Sequence, residues 1–424
     1  SKEPLATLGT FSAEVLSPDS NKQCQADFVV TASDGRSLLG RQTAEQLGLL
    51  RIWPAVVNQV DTGDADDIFK GYPELFSGVG KLKGYQLRLN IDETIRPVAQ
   101  PVRRIPFGLK EKVDRKLQEL LDEDIIEEVP AGPSGWVSPL VVVPKEGGDV
   151  RVCVDMRRAN EAIIRERQPI PTVEEVLHDV NGSTMFSKMD LRWGFHQVVL
   201  SEESRHVTTF VTQQGLYRYK RLMFGICSAP EKYQKIIRDV LQGCTGVANI
   251  ADDLIVYGPN KEEHDKRLFA VLDRLKAVGL TLNAKKCQFR LPQLTFFGHV
   301  VTSRGIDPSE EKVAAIQEAK PPQTASEARS FLGLVQYSAK FIPNLSTVAK
   351  PIQDLTRKGT VFKWGKEEEK AFQELKRLIT NTQTLAYFRA DCRTRIVADA
   401  SPVGLGAVLT QQQDGEWRVI AYAS

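Results

Sequence analysis

The six cysteines, Cys24, Cys153, Cys227, Cys244, Cys287 and Cys392, are scattered and form no C-x-x-C pair. That spacing argues against a zinc site or a disulfide framework and fits a reducing compartment. No run of about 18 apolar residues occurs, so no membrane span is expected, and no signal-peptide pattern is visible. Neither sign of charge dominates: 56 Lys and Arg stand against 54 Asp and Glu, a net charge of +2. Nucleic-acid binding would therefore have to come from local patches. Methionine is scarce, and the first, Met156, lies far from Ser1, so the chain reads as a piece of something longer. What remains is an ordinary globular composition, 42% hydrophobic and 26% charged over 424 residues. That length suggests about two to four domains.

The most informative stretch is Gly246-Val247-Ala248-Asn249-Ile250-Ala251-Asp252-Asp253-Leu254-Ile255-Val256-Tyr257. Two short apolar runs flank adjacent carboxylates, which reads as two strands with the charged pair in the hairpin turn. Adjacent residues on extended backbone face opposite ways, so Asp252 and Asp253 cannot do identical jobs. A bare Asp-Asp is more often a solvated turn. A third acid changes that weighting: Asp190 follows Met185, Phe186 and Met189 and sits where the chain turns. After Gly194 the pattern reads as an alternating strand.

Elsewhere the chain is less specific. Ala26-Asp27-Phe28-Val29-Val30 followed by residues 37–50 reads as a strand, a glycine turn and a short amphipathic helix. Asp61-Thr62-Gly63 spells an aspartic-protease signature, but Asp64, Asp66 and Asp67 make it a solvated acidic linker instead. Pro97, Pro101 and Pro106 force an extended segment. Leu109, Val113, Leu117, Leu120 and Leu121 then recur at helical spacing, as do Val173, Val176 and Leu177. His264, Leu268, Val271, Leu272 and Leu275 form a third helical stripe. Two apolar runs joined by Glu146-Gly147-Gly148-Asp149 predict a hairpin with Lys145 and Arg151 at its tip. Those two cations are either an ordinary solvated hairpin end or a clamp for a triphosphate.

Several ordered motifs together resemble the reverse transcriptase of gypsy-type LTR retrotransposon Pol polyproteins. They are Arg151-Val152-Cys153-Val154-Asp155, Phe186-Ser187-Lys188-Met189-Asp190-Leu191-Arg192, and the stretch from Tyr219 through Leu222-Met223-Phe224-Gly225 to Pro230. Asn249-Ile250-Ala251-Asp252-Asp253, Leu282-Asn283-Ala284-Lys285-Lys286-Cys287 and Phe296-Phe297-Gly298-His299 follow in order. The resemblance implies an RNA-directed DNA polymerase. Its expected fold is α+β, a right hand of fingers, antiparallel palm sheet and helical thumb, followed by the beginning of an RNase H-like α/β domain. The expected segments are a protease remnant over 1–55, a linker over 56–96, and fingers and palm over 97–300. A thumb and connection over 301–382 and a truncated RNase H-like domain over 383–424 complete them.

The resemblance also implies roles. Asp190, Asp252 and Asp253 are the catalytic acids, holding two Mg²⁺ or Mn²⁺ ions, with Asp190 and Asp252 bridging and Asp253 supporting. Lys145, Arg151, Leu191, Phe195, Phe224 and Gly225 contact the dNTP, Phe195 as a gate against the ribose 2′-OH or simply as a core aromatic. Lys286 is a candidate general acid, or equally a solvated helix-end lysine. Phe297, Gly298 and His299 resemble a primer grip, and His196, His206 and His264 are read as structural or surface residues. Asp399 is the first acid of the RNase H-like part. The protease and RNase H parts are expected to be incomplete and inactive. Expected partners are an RNA or DNA template-primer, dNTPs and the remaining protease, RNase H and integrase parts. The expected location is intracellular, in a cytoplasmic virus-like particle with nuclear access. Three departures stand out: Ile250 where the family has Tyr, Met223 where Pro is common, and Met156 where an aromatic is common. They leave open a degenerate copy that binds template-primer without polymerising.

Overall fold

The computed structural model describes residues 7–17, 22–31, 62–130, 134–144, 149–401 and 404–424. It divides into two compact units, residues 1–62 and 63–424. In the first, β1 (Thr7–Ser17) and β2 (Lys22–Thr31) form an antiparallel hairpin, and β2 contains the predicted 26–30 strand. The helix expected within 37–50, Asp61 of the Asp-Thr-Gly triplet, and Lys145 lie outside the described residues.

The second unit begins with a correction. The stretch read as a linker opens with helix α1 (Thr62–Gly71), and Ile68, Leu75, Leu82, Leu87 and Leu89 are buried in the largest core. Asp67 is exposed but is not a free linker acid, because it lies on α1 and Arg290 grips both its oxygens at 2.8 and 2.9 Å. Short-range acidity hid an apolar spacing of seven, seven, five and two residues, which follows neither the helical nor the strand period. Helix α2 (Lys110–Asp122) buries Val113, Leu117 and Leu120 as the helical spacing predicts.

A five-stranded sheet ordered β3-β8-β7-β4-β5 builds the fingers side. Its strands are β3 (Ile126–Glu128), β4 (Ser138–Pro144), β5 (Val150–Val154), β7 (Phe210–Val211) and β8 (Leu216–Tyr219). Pairing is antiparallel except between β4 and β7.

The palm is a four-stranded antiparallel sheet ordered β11-β6-β10-β9. Its strands are β6 (Met185–Asp190), β9 (Val247–Ile250), β10 (Asp253–Gly258) and β11 (Gln288–Leu291). Leu254, Ile255 and Val256 of β10 are all fully buried, because both faces of this central strand are covered. Helix α3 (Val173–Asp179) precedes the sheet, held at its start by a reciprocal capping box between Thr172 and Glu175. Helix α4 (Ala229–Val240) packs on β9, and α5 (Lys261–Val278) packs on β10 and β6. The predicted stripe of α5 is its buried face, capped by Asn260, which accepts from the Glu263 amide at 2.8 Å, and by Gly279 at φ 78°.

A smaller sheet of β12 (Gln293–Phe296), β13 (His299–Thr302) and β14 (Gly305–Pro308) follows. Gly305–Pro308 is the third strand of this sheet, paired with β13. Helices α6 (Glu310–Glu318), α7 (Ala325–Gln336), α8 (Leu345–Asp354) and α9 (Lys366–Thr380) then pack around their own core, centred on Phe331, Phe372 and Leu375. The chain ends in an antiparallel sheet of β15 (Arg393–Ser401), β16 (Gly404–Gln413) and β17 (Glu416–Ala423). Among the described residues no helix is long and apolar enough to cross a membrane.

Candidate active site

The palm register assembles the acids. Asp253 pairs directly with Asp190 across β10 and β6, and the Leu191 amide donates to the Asp252 carbonyl at 2.9 Å. Ile250 pairs with Asp253, so the hairpin turn is Ala251-Asp252, and Asp253 is the first residue of β10. The turn was expected at Asp252-Asp253. It falls one residue earlier because Ala251 takes a left-handed φ of 52°. Gln234 on α4 fixes this turn: its amide donates to the Asn249 carbonyl at 3.0 Å and accepts from the Ala251 amide at 2.7 Å.

Asp190 and Asp252 line one cavity of about 440 Å³, together with Arg151, Leu191, Gly194, Phe224 and Lys286. Burial, then the charges of Asp190 and Asp253, push the Asp252 carboxyl above its ordinary value. The Lys286 ammonium answers that negative charge, lying 2.9 Å from an Asp190 oxygen, and this contact raises its own pKa. Lys286 sits on a turn and not at a helix end. Asp253 shares the Asp190 face of the ladder, but its carboxylate turns to Lys188 at 3.3 Å and does not line the cavity. Among the described residues no three His, Cys, Asp or Glu side chains gather as a ready-made metal cage. The three acids expected to share metals are thus two cavity-facing carboxylates, one of them paired with Lys286, and a third engaged with Lys188. Two hard oxygen donors in one cavity suit Mg²⁺, which completes its shell from water and phosphate, and Lys116, Arg151 and Lys286 line the same cavity. An ammonium already occupies a cation's place on Asp190.

The side of the cavity expected to take the nucleotide is partly assembled. Arg151 lies on β5 opposite Val143 and lines the cavity. Its predicted companion Lys145 falls outside the described residues. The stretch after Gly194 is a single 3-10 turn, Gly194–Gln197, and not a strand. Trp193 enters it at φ 49°, and the buried Gln197 side chain ties it to the Arg192 and Thr281 carbonyls. Phe195 rests on Phe224 at 4.7 Å and Tyr233 at 4.9 Å, while Phe224 is 59% exposed. Gly225 turns at φ 99°, and Asn160 braces it by donating to its carbonyl at 2.8 Å and accepting from the Cys227 amide at 3.0 Å. Asp155 is held well below the usual carboxylate range by Arg157 and, secondly among its partners, Arg103.

Phe297 and Gly298, at φ 44° and 69°, form the two-residue turn between β12 and β13. The Phe297 carbonyl accepts the Tyr337 hydroxyl at 2.5 Å and lies 2.8 Å from His299 Nδ1. His299 is buried, which lowers its pKa to about 4. His196 is likewise lowered to about 4 by burial, and His264 is buried against Ser187 and Asp265. Both fit the structural reading. Asp399 is exposed on β15, paired with Gly406.

Ile250 is buried with Phe186, Ile255 and Leu294 in a core cluster. Sequence reasoning passed over Gln234, Asn160, Gln197 and Tyr233. Each acts on a residue far away in the chain, and an isolated polar or aromatic side chain within an apolar pattern carries no periodic signal.

Comparison with known proteins agrees with this geometry. A family profile described as reverse transcriptase (RNA-dependent DNA polymerase) matches residues 143–334. Another, described as an RNase H-like domain found in reverse transcriptase, matches residues 364–424. The retrovirus-related Pol polyprotein from transposon 412 of Drosophila melanogaster is 34% identical over 354 residues, covering 82% of this chain. The transposon Tf2-3 polyprotein of Schizosaccharomyces pombe is 28% identical over 371 residues, covering 85%. The chain spans only 28% of the length of either relative. A solved foamy viral protease-reverse transcriptase dRH in complex with ds DNA matches with a TM-score of 0.77 at 21% identity, covering 98% of this chain and 75% of that one. The foamy viral protease-reverse transcriptase in complex with RNA/DNA hybrid matches at 0.75 and 21%, covering 100% and 61%. These likenesses establish the fold, α+β with fingers, antiparallel palm and helical thumb, followed by the start of an RNase H-like sheet.

Proposed function

The chain carries a reverse transcriptase domain and an RNase H-like domain of the kind found in transposon Pol polyproteins, and on that premise we propose that it extends a primer on an RNA template with dNTPs. The observation that carries this reading is the placement of the Asp190 and Asp252 carboxylates in one cavity by strand register. We read the element as gypsy-type, with residues 1–55 the end of a retropepsin-like protease and the protease and RNase H parts inactive by themselves. The particle-associated location and the other polyprotein parts as partners belong to the same reading.

Asp190 and Asp252 are the residues that hold the divalent ions, with Asp253 supporting from its Lys188 contact. When bound, two Mg²⁺ or Mn²⁺ ions supply a Lewis-acid clamp on the attacking 3′-oxygen and the leaving pyrophosphate. The protein's own work is positioning and charge neutralisation. Arg151, with Lys145, binds the triphosphate through charge-assisted hydrogen bonds. Phe195, backed by Phe224 and Tyr233, closes the space beside the sugar, and the Leu191 and Gly225 backbones flank the nucleotide. Lys286, kept protonated beside Asp190, is placed to give a proton to pyrophosphate. Phe297, Gly298 and His299 hold the primer end.

Primer extension on poly(rA)/oligo(dT) with Mg²⁺ tests the reading. Asp252→Asn is expected to lower incorporation by at least about 10²-fold, the scale for removing one electrostatic contributor to a transition state. Incorporation that survives Asp252→Asn would sink it. Ile250, buried where the family has Tyr, favours the second reading, a duplex binder without synthesis. That reading predicts no incorporation but retained, steeply salt-dependent binding.

A further inference from the structure

Tyr233 lies on α4 beneath the cavity floor and is fully buried, and its hydroxyl has no hydrogen-bond partner. An unpaired buried hydroxyl is costly, so its place in the fold calls for a physical account. Its surroundings supply one. A Cβ added at Gly194 would overlap the Tyr233 hydroxyl oxygen and come within 3.0 Å of the Asp252 Cβ. The phenol and the acid thus face each other across the space that glycine leaves open. Phe195 meets the buried ring edge-on at 4.9 Å with planes at 76°.

We propose that Tyr233 is a positioning residue for Asp252, whose carboxylate accepts its hydroxyl when a divalent ion binds. This inference rests on the polymerase reading of the site. Asp252 occupies a two-residue turn that Gln234 fixes from behind, so its backbone is set and its side chain supplies the adjustment. A phenol is neutral and donates one hydrogen bond. It restrains one carboxylate oxygen and leaves the other for the cation, as hydrogen bonds behind metal-binding carboxylates generally do. Phenylalanine would fill the same volume and pack against Phe195 equally well, so the oxygen alone carries the proposed role. Gly194 is the second component, because any side chain there would fill the gap between hydroxyl and acid.

Tyr233→Phe separates this role from packing. Mn²⁺ is titrated into the complex of the full chain with template-primer and followed by electron paramagnetic resonance. The Mg²⁺ dependence of single-nucleotide incorporation is measured beside it. Mn²⁺ affinity is expected to fall about tenfold, the low end for losing a hydrogen bond behind a metal ligand, and half-saturating Mg²⁺ to rise by the same factor. The thermal midpoint without metal should stay level or rise, since an unpaired hydroxyl is removed, and metal-free template-primer affinity should not change. Mn²⁺ affinity within twofold of the parent overturns the proposal. So does a loss of affinity accompanied by a lower midpoint, which would assign Tyr233 to packing. The titration requires no turnover, so a parent chain that incorporates nothing defeats the polymerase reading while the Tyr233 contact is still decided.

Discussion

Asp252 shows what a single side chain discloses and withholds. Its adjacency to Asp253 and the apolar runs around it were legible as a hairpin of acids. The lysine contacts of its partner acids were not, because Lys188 captures Asp253 and Lys286 captures Asp190 between separate strands and a turn. Gln234 and Tyr233 were invisible for the same reason: each matters through one partner that only the fold supplies. The electrostatics give Asp252 a testable signature. Burial and two neighbouring carboxylates raise its folded pKa above the ordinary 3.8. A group that binds its proton more tightly when folded lowers stability as pH rises between its unfolded and folded values. The penalty is complete above the folded value and absent below the unfolded one. Without divalent ions, Asp252→Asn should therefore melt at the same temperature as the parent or higher at pH 7, and the difference should vanish near pH 3. Thermal melts at the two pH values check this. A variant that is less stable at pH 7 would show that Asp252 stabilises the apo fold, contrary to this account.

At the scale of elements, helices were easier to foresee than the short strands and turns. The stripes of α2 and α5 repeat over three turns or more and appear as buried faces. The stretch after Gly194 alternates in polarity yet folds as a 3-10 turn, because the Gln197 side chain finds backbone partners at Arg192 and at Thr281 in the loop after α5. The β12–β13 hairpin was legible only as a motif. The structure adds that α7 reaches it: Tyr337, just beyond the helix, donates its hydroxyl to the Phe297 carbonyl, and its ring lies 5.6 Å from His299. Tyr337→Phe removes that bond alone and should lower the local stability of the turn by about 1 kcal/mol. Native-state hydrogen exchange of the β12–β13 amides should then speed up by roughly fivefold, with the palm amides of β6 and β10 unchanged. Equal protection in both proteins would show that the hydroxyl contributes nothing to holding the hairpin.

The organisation of the whole molecule is where sequence reading went furthest astray, and the reason is the wide spacing of core residues between 62 and 96. Acidic residues near Asp61 suggested solvated chain, while the apolar residues that matter are isolated single positions. Ile68 is 0% exposed, Leu75 1%, Leu82 5%, and Leu87 and Leu89 3% each. The Leu82 and Leu87 amides donate to the Gln197 and Val199 carbonyls, the Tyr72 hydroxyl donates to Asp273, and Glu74 pairs with Lys276 on α5. The segment thus runs under both the Gly194–Gln197 turn and the helix behind the catalytic strands. Burying each such side chain contributes about 1.5–3 kcal/mol, so five together approach about 10 kcal/mol, comparable to the whole net stability of a domain at about 5–15 kcal/mol. A chain cut to residues 97–424, the boundary that motif matching suggests, should therefore fail to fold cooperatively. A chain cut to residues 62–424 should fold and keep the parent's nucleotide incorporation, because residues 63–424 form one compact unit. Far-ultraviolet circular dichroism melts of the two truncations, with incorporation measured beside them, decide the matter. A 97–424 chain with the parent's midpoint would mean that the core closes without this segment, and that the floor beneath Gly194 is set by the palm alone.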